Sequence, residues 1–180
     1  MKGIVFTEFM ELVEEKFGLE VVNEIIESSD LKSKGVYTSI GTYPFYEMLQ
    51  LVSSLSKQVS IPADDLIFAF GEHFFDYLEL SYPRIFESYT TPVHFLSSVE
   101  GHIHVQVKKI YPDAELPNFR VKELSSTQFQ MIYSSQRALY RFAEALIIKT
   151  FKYYGVDHDI SFEKLNEKGT EVKFIISHYA

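Results

Sequence analysis

The sequence predicts an α+β fold, with an N-terminal helical subdomain packed on a C-terminal antiparallel sheet and its helices. Three observations lead there. Apolar residues recur at helical spacing through roughly the first 110 of 180 positions, strict alternation replaces that period after Pro117, and a turn containing Gly169 joins two extended segments near the end.

The elements follow in order. Residues 3–17 set Phe6, Phe9, Met10, Leu12, Val13 and Phe17 at helical intervals, and Gly18 supplies a stop. Residues 20–28 form a second, short helix. The run KSKGVYTSIGTYP reads as a loop, and residues 44–58 return to an amphipathic helix through Phe45, Met48, Leu49, Leu51, Val52 and Leu55. Pro62 suits the first turn of the next helix, and Asp64 and Asp65 suit its positive end. That helix reaches about Leu80, and Pro83 breaks the chain before a short turn at 84–88. Thr91-Pro92 opens a long helix that ends at Tyr111-Pro112. Residues 117–123 and 127–134 are extended, with Phe129, Met131 and Tyr133 on one face. Residues 136–154 are helical. Strands at about 159–165 and 170–178 flank the turn Asn166-Glu167-Lys168-Gly169.

Composition narrows the function. A chain of this length buries roughly 70% of the surface its unfolded form exposes, so it needs no metal or disulfide staple. The absence of cysteine excludes disulfides, thiolate catalysis and Cys-type metal sites. A net charge of −8, from 17 basic and 25 acidic residues, argues against nucleic acid and anionic membranes as partners. The opening MKGIVFTEFMELVEEKFG is too acidic for a signal peptide, and no apolar run is long enough to span a bilayer, so a cytoplasmic protein is expected. Sixteen Phe and twelve Tyr, without one Trp, fit either an aromatic core or the wall of a site for a large flat ligand.

No HExxH, GxSxG, P-loop or GxGxxG motif is present. Of six histidines, His158 stands in Asp157-His158-Asp159, which reads as a solvated loop, and His178 lies where the chain end is expected to fray. His102 and His104 flank opposite margins of the stripe Phe95, Leu96, Val99, Ile103, Val107 and Ile110, and periodicity does not choose between them. Tyr133, Ser135 and Arg137 alternate. In an extended chain all three point one way, offering a phenol, a hydroxyl and a guanidinium fork suited to carboxylates.

Four segments, MKGIVF, AFGEHFFDYL, His104-x7-Pro112 followed by LPNF, and Tyr133-x-Ser135-x-Arg137, together resemble the haem nitric oxide/oxygen-binding (H-NOX) domain over essentially the whole chain. The resemblance implies a single domain over 1–180, with an N-terminal helical subdomain at about 1–62, a haem-clamping subdomain at about 63–180, and haem buried between them. It selects His104 over His102 as the iron ligand. It makes Tyr133, Ser135 and Arg137 the clamp on the haem propionates and Pro117 the residue that presses on the porphyrin. It places Val5, Phe9, Phe74, Phe142 and Leu146 on the gas-binding side. Without a CxxCH motif the cofactor is expected to be haem b, iron protoporphyrin IX.

Two departures from the family pattern matter. Members that bind oxygen stably carry tyrosine where this chain has Phe142, and the polar helpers nearby are replaced by Phe9 and Phe74. A pocket without a hydrogen-bond donor is expected to bind NO and CO with little O2. The Cys-based zinc site of some bacterial relatives cannot form here. The implied function is a gas sensor, not an enzyme. NO weakens the bond to His104, and the rearrangement signals to a separate partner, typically a histidine kinase or a cyclic-di-GMP enzyme, since no such segment follows in this sequence. A peroxidase would need a distal His or Arg that this pocket lacks. The other alternative is a non-haem module holding a flat or lipid-like carboxylate through the same donor triplet.

Overall fold

A computed structural model describes residues 1–179. They form two compact units, Met1–Tyr77 and Leu78 onward, and the division falls inside a helix.

The first unit is helical. α1 (Gly3–Phe17) buries Phe6, Phe9, Leu12 and Val13, and α2 (Leu19–Glu27) buries Val22 and Ile25. Gly18 joins them with φ 89°, a value that disfavours any residue with a Cβ, and its N–H caps Glu14. α3 (Phe45–Val59) turns Met48, Leu51, Val52 and Leu55 inward. α4 (Ala63–Ser81) begins just past Pro62, with Asp64 and Asp65 in its first turn as the charge pattern predicts.

The loop between α2 and α3 is tied down at both ends. Gly3 donates to the Gly41 carbonyl at 2.8 Å, and a Cβ at Gly3 would lie 1.8 Å from the Thr38 carbonyl oxygen, so only glycine fits. Tyr37 stacks on Phe6 at 4.4 Å. The fully buried Glu47 accepts from the Ser33 hydroxyl at 2.5 Å, the Tyr37 hydroxyl at 2.8 Å and the Ser33 N–H at 3.3 Å.

The second unit centres on a four-stranded antiparallel sheet of β1 (Asn118–Ser125), β2 (Gln128–Ser134), β3 (Asp157–Lys164) and β4 (Glu171–Tyr179), in the order β1-β2-β4-β3. Phe129, Met131 and Tyr133 of β2 lie opposite Ile176, Phe174 and Val172 of β4, and these six residues form the buried face. α8 (Tyr140–Tyr153) covers it, with Phe151 stacked on Phe129 and on His158. α5 (Pro83–Glu87) joins this core through Phe86, which stacks on Phe95 at 5.1 Å and accepts from the Tyr154 hydroxyl at 2.8 Å.

The structure departs from the sequence expectations at several places, among them α5, a short helix where a turn was expected at 84–88. The long helix after Thr91 is three pieces: α6 (Pro92–Ser98), a π-helical segment (Val99–Ile103) and α7 (His104–Ile110). Gly101 lies inside the π segment, where low helix propensity makes the α-helical ladder easiest to interrupt. α8 begins at Tyr140 rather than 136, because Ser135–Ala138 form a turn in which Ala138 has φ 51°. His158 belongs to β3 and not to a solvated loop, since Phe151 gives its ring a stacking surface at 4.7 Å. His178 is held in β4, its N–H bonded to the Thr127 carbonyl at 2.9 Å. Among the described residues no helix is long and apolar enough to cross a membrane.

Candidate functional site

In the second unit the two histidines differ in environment. His102 is exposed, and its Nδ1 meets the Tyr89 hydroxyl at 2.5 Å. His104, the first residue of α7, is 14% exposed at the side chain. Burial pulls its pKa below the ordinary value of 6.5, against the opposing attraction of Glu100, so the imidazole is neutral at neutral pH. Its ring lies 5.9 Å from that of Phe119. A neutral, half-sequestered imidazole is the form that ligates a metal. Among the described residues no three His, Asp or Glu gather as an all-protein metal cage.

The donor triplet converges, but not by strand alternation. β2 stops at Ser134, so only Tyr133 belongs to the strand. Ser135 and Arg137 sit in the turn before α8, where the Arg137 N–H donates to Ser135 Oγ at 3.2 Å. The turn keeps the Ser135 hydroxyl and the Arg137 charge near the Tyr133 phenol. Burial of Tyr133 raises its pKa above 10.0 against these three helpers, Ser135, the Leu139 N–H and Arg137, so it stays a protonated donor. The Leu139 N–H, at the start of α8, donates to the Tyr133 oxygen at 2.8 Å.

Arg137 already grips a carboxylate. Its Nη2 donates to Glu115 Oε2 at 2.5 Å and its Nη1 to the Glu115 carbonyl at 3.0 Å. Pro117, two residues on, is half-buried and leads directly into β1.

The five apolar candidates fall in both units. Val5 and Phe9 are one turn apart on α1, and Phe9 meets Phe70 edge-on at 5.3 Å. Phe70 meets Phe74 edge-on at 5.8 Å, so an aromatic chain links Phe9 to Phe74. Phe142 and Leu146 are one turn apart on α8, both half-buried. None of the five side chains carries a polar hydrogen.

Sequence reasoning missed three residues beside these candidates. Glu115 was hidden because nothing marks a loop carboxylate as an arginine partner. Tyr89 was hidden because its contact with His102 is tertiary. Glu100 lies within 3.4 Å of His104 Nδ1 and accepts from the Phe119 N–H at 3.0 Å. Its i,i+4 spacing was visible in the sequence, but the local π geometry was not. A cavity of about 260 Å³ adjoins it, walled by Leu96, Phe119, Val121 and Phe129.

The chain matches the haem-NO-binding family model over residues 2–162. Among solved structures it is similar to the Fe(II) unliganded H-NOX protein from K. algicida, at 53% identity and TM-score 0.97, covering 100% of this chain and 97% of that one. It is similar to the IWP-051-bound H-NOX from Shewanella woodyi in the Fe(II)CO state, at 38% identity and TM-score 0.84, covering 98% and 94%. It is also similar to an H-NOX protein from S. oneidensis in the Fe(II)NO state, at 26% identity and TM-score 0.91, covering 100% of both chains. No curated protein matches it.

Proposed function

Since the chain belongs to the haem-NO-binding family, whose domains are haem-based gas sensors, we propose that it senses nitric oxide and carbon monoxide and discriminates against oxygen. The single observation that carries the reading is His104, a half-buried imidazole in the same compact unit as a phenol, a hydroxyl and a guanidinium that already binds a carboxylate. These residues fit haem b. His104 has the protonation state of an iron ligand, and the triplet has donors for two propionates. The non-haem alternative for the same triplet gives way to this family membership.

Bound haem supplies a ferrous iron with one coordination position open to a diatomic gas. His104 would ligate the iron, Tyr133, Ser135 and Arg137 would hold the propionates, and Pro117 would press on the ring. By the family's pattern Val5, Phe9, Phe74, Phe142 and Leu146 would line the gas side, and none of these side chains has a hydrogen to donate. Bound oxygen acquires negative charge and needs a donor, whereas NO and CO do not. Discrimination therefore rests on what these side chains lack.

Signalling is a two-state choice at His104. The gas would have to favour a state in which His104 is released, and α7, which His104 begins, would carry that change. The reader of that movement is a histidine kinase or a cyclic-di-GMP enzyme acting in trans. A net charge of −8 suits a basic surface on such a partner. Pull-downs in the NO-bound and unliganded states test this, and a partner retained equally in both would refute it.

Absorption spectra test the cofactor reading. The ferrous protein is expected to show a Soret band that NO and CO shift, and air is expected to leave no stable oxygenated spectrum. His104→Gly is expected to lose normal ligation. Reconstitution of that variant to a wild-type spectrum would remove His104 from its role.

A further inference from the structure

The imidazole of His104 has two nitrogens, and the structure distinguishes them. Nδ1 is buried and has no hydrogen-bond partner among the described residues. The atom it faces is Glu100 Oε2, 3.4 Å away and four residues earlier, across the wider turn of the π segment. The His104 N–H closes that turn on the Val99 carbonyl. Glu100 is not a loose surface carboxylate here. The same Oε2 accepts the Phe119 N–H at 3.0 Å, which fixes it against the start of β1, and the Phe119 ring flanks the His104 ring.

We propose that Glu100 is a positioning residue for His104: its Oε2 accepts a hydrogen bond from Nδ1–H, which leaves Nε2 as the nitrogen that donates to iron. The proposal rests on the reading of His104 as haem ligand. A carboxylate behind a ligating imidazole fixes the tautomer and ring orientation and makes the ring a stronger donor. Glu100 thereby sets how firmly His104 is held, and so how readily NO dislodges it. The π segment has a use in this scheme, since it carries the carboxylate to a position from which it serves β1 and His104 together.

The test is resonance Raman spectroscopy of the unliganded ferrous protein, with haem content measured alongside. The iron–histidine stretching band is expected to fall from wild type to Glu100→Gln and further to Glu100→Ala, because the amide keeps an acceptor without the charge and alanine keeps neither. The five-coordinate share of the NO complex is expected to rise in the same order. A band that stays in place in the Gln variant and in any Ala variant that holds haem would overturn the proposal. The ligand assignment fails separately: a wild-type band in His104→Gly would show that another residue holds the iron, whatever Glu100 does.

Discussion

Arg137 donates one charge-assisted bond to the Glu115 carboxylate and a second to the Glu115 backbone carbonyl. Arg137→Met removes those donors while keeping the length of the apolar stem. A hydrogen bond to a charged group contributes about 1.5–3 kcal/mol. Haem should therefore leave the variant about ten- to a hundredfold more readily, as read by transfer to an acceptor haem protein. At Phe142 a single hydroxyl is the variable. Phe142→Tyr is expected to give an oxygenated spectrum in air that wild type lacks, and an unchanged spectrum would move the discrimination elsewhere. At this scale the sequence was informative about residue types and less so about cause. Tyr133, Ser135 and Arg137 were visible as a donor set by their spacing, yet a turn and not a strand gathers them. His102 and His104 were indistinguishable by periodicity, because what separates them is a Tyr89 hydroxyl and a degree of burial, and both depend on distant chain.

Elements with one strong local period were legible. α1, α3 and α4 lie within a residue or so of their expected bounds, since each carries one apolar stripe of buried residues. The helix after Thr91 was half-legible. Thr91 caps it as expected, its Oγ1 accepting from the His94 N–H at 3.2 Å, but the π segment adds to the turn and shifts the phase of everything after it. A helical wheel assumes a constant period, so it loses its reference at that segment. The loop before α3 was legible only as a loop. What orders it is Glu47, a charged residue at zero exposure that an amphipathic reading of α3 assigns to solvent. Glu47→Ala strands the Tyr37 and Ser33 hydroxyls and the Ser33 N–H. It is expected to destabilise the protein by about 1–3 kcal/mol in chemical denaturation. No change in midpoint would mean that water replaces the carboxylate without penalty.

Across the whole molecule, buried acids shape the response to pH. Burial, aided by Glu11, raises the Glu8 pKa above its ordinary 4.5, and the attraction of His73 at 3.4 Å only partly offsets this. Burial raises Glu144 likewise, against its partner Arg141. A carboxylate whose folded pKa is raised binds its proton more tightly when folded. Its contribution to stability is therefore present below the unfolded pKa and is lost as pH rises through the folded one. Glu8→Gln removes that dependence at one site. Between pH 4.5 and about pH 7 its melting temperature should lose less, or gain more, than that of wild type. Parallel curves would show that Glu8 titrates normally.

The strand order β1-β2-β4-β3 also dictates when the sheet can form. β4 lies between β2 and β3 although it is the last of the four to be synthesised. Until residues 171–179 have left the ribosome, β3 has no neighbour in the sheet and one long edge of β2 is open. The first unit, Met1–Tyr77, is synthesised before any of the four strands. The nascent chain thus carries an unfinished ribbon, the part that contains Tyr133 and adjoins Ser135 and Arg137, until translation reaches β4.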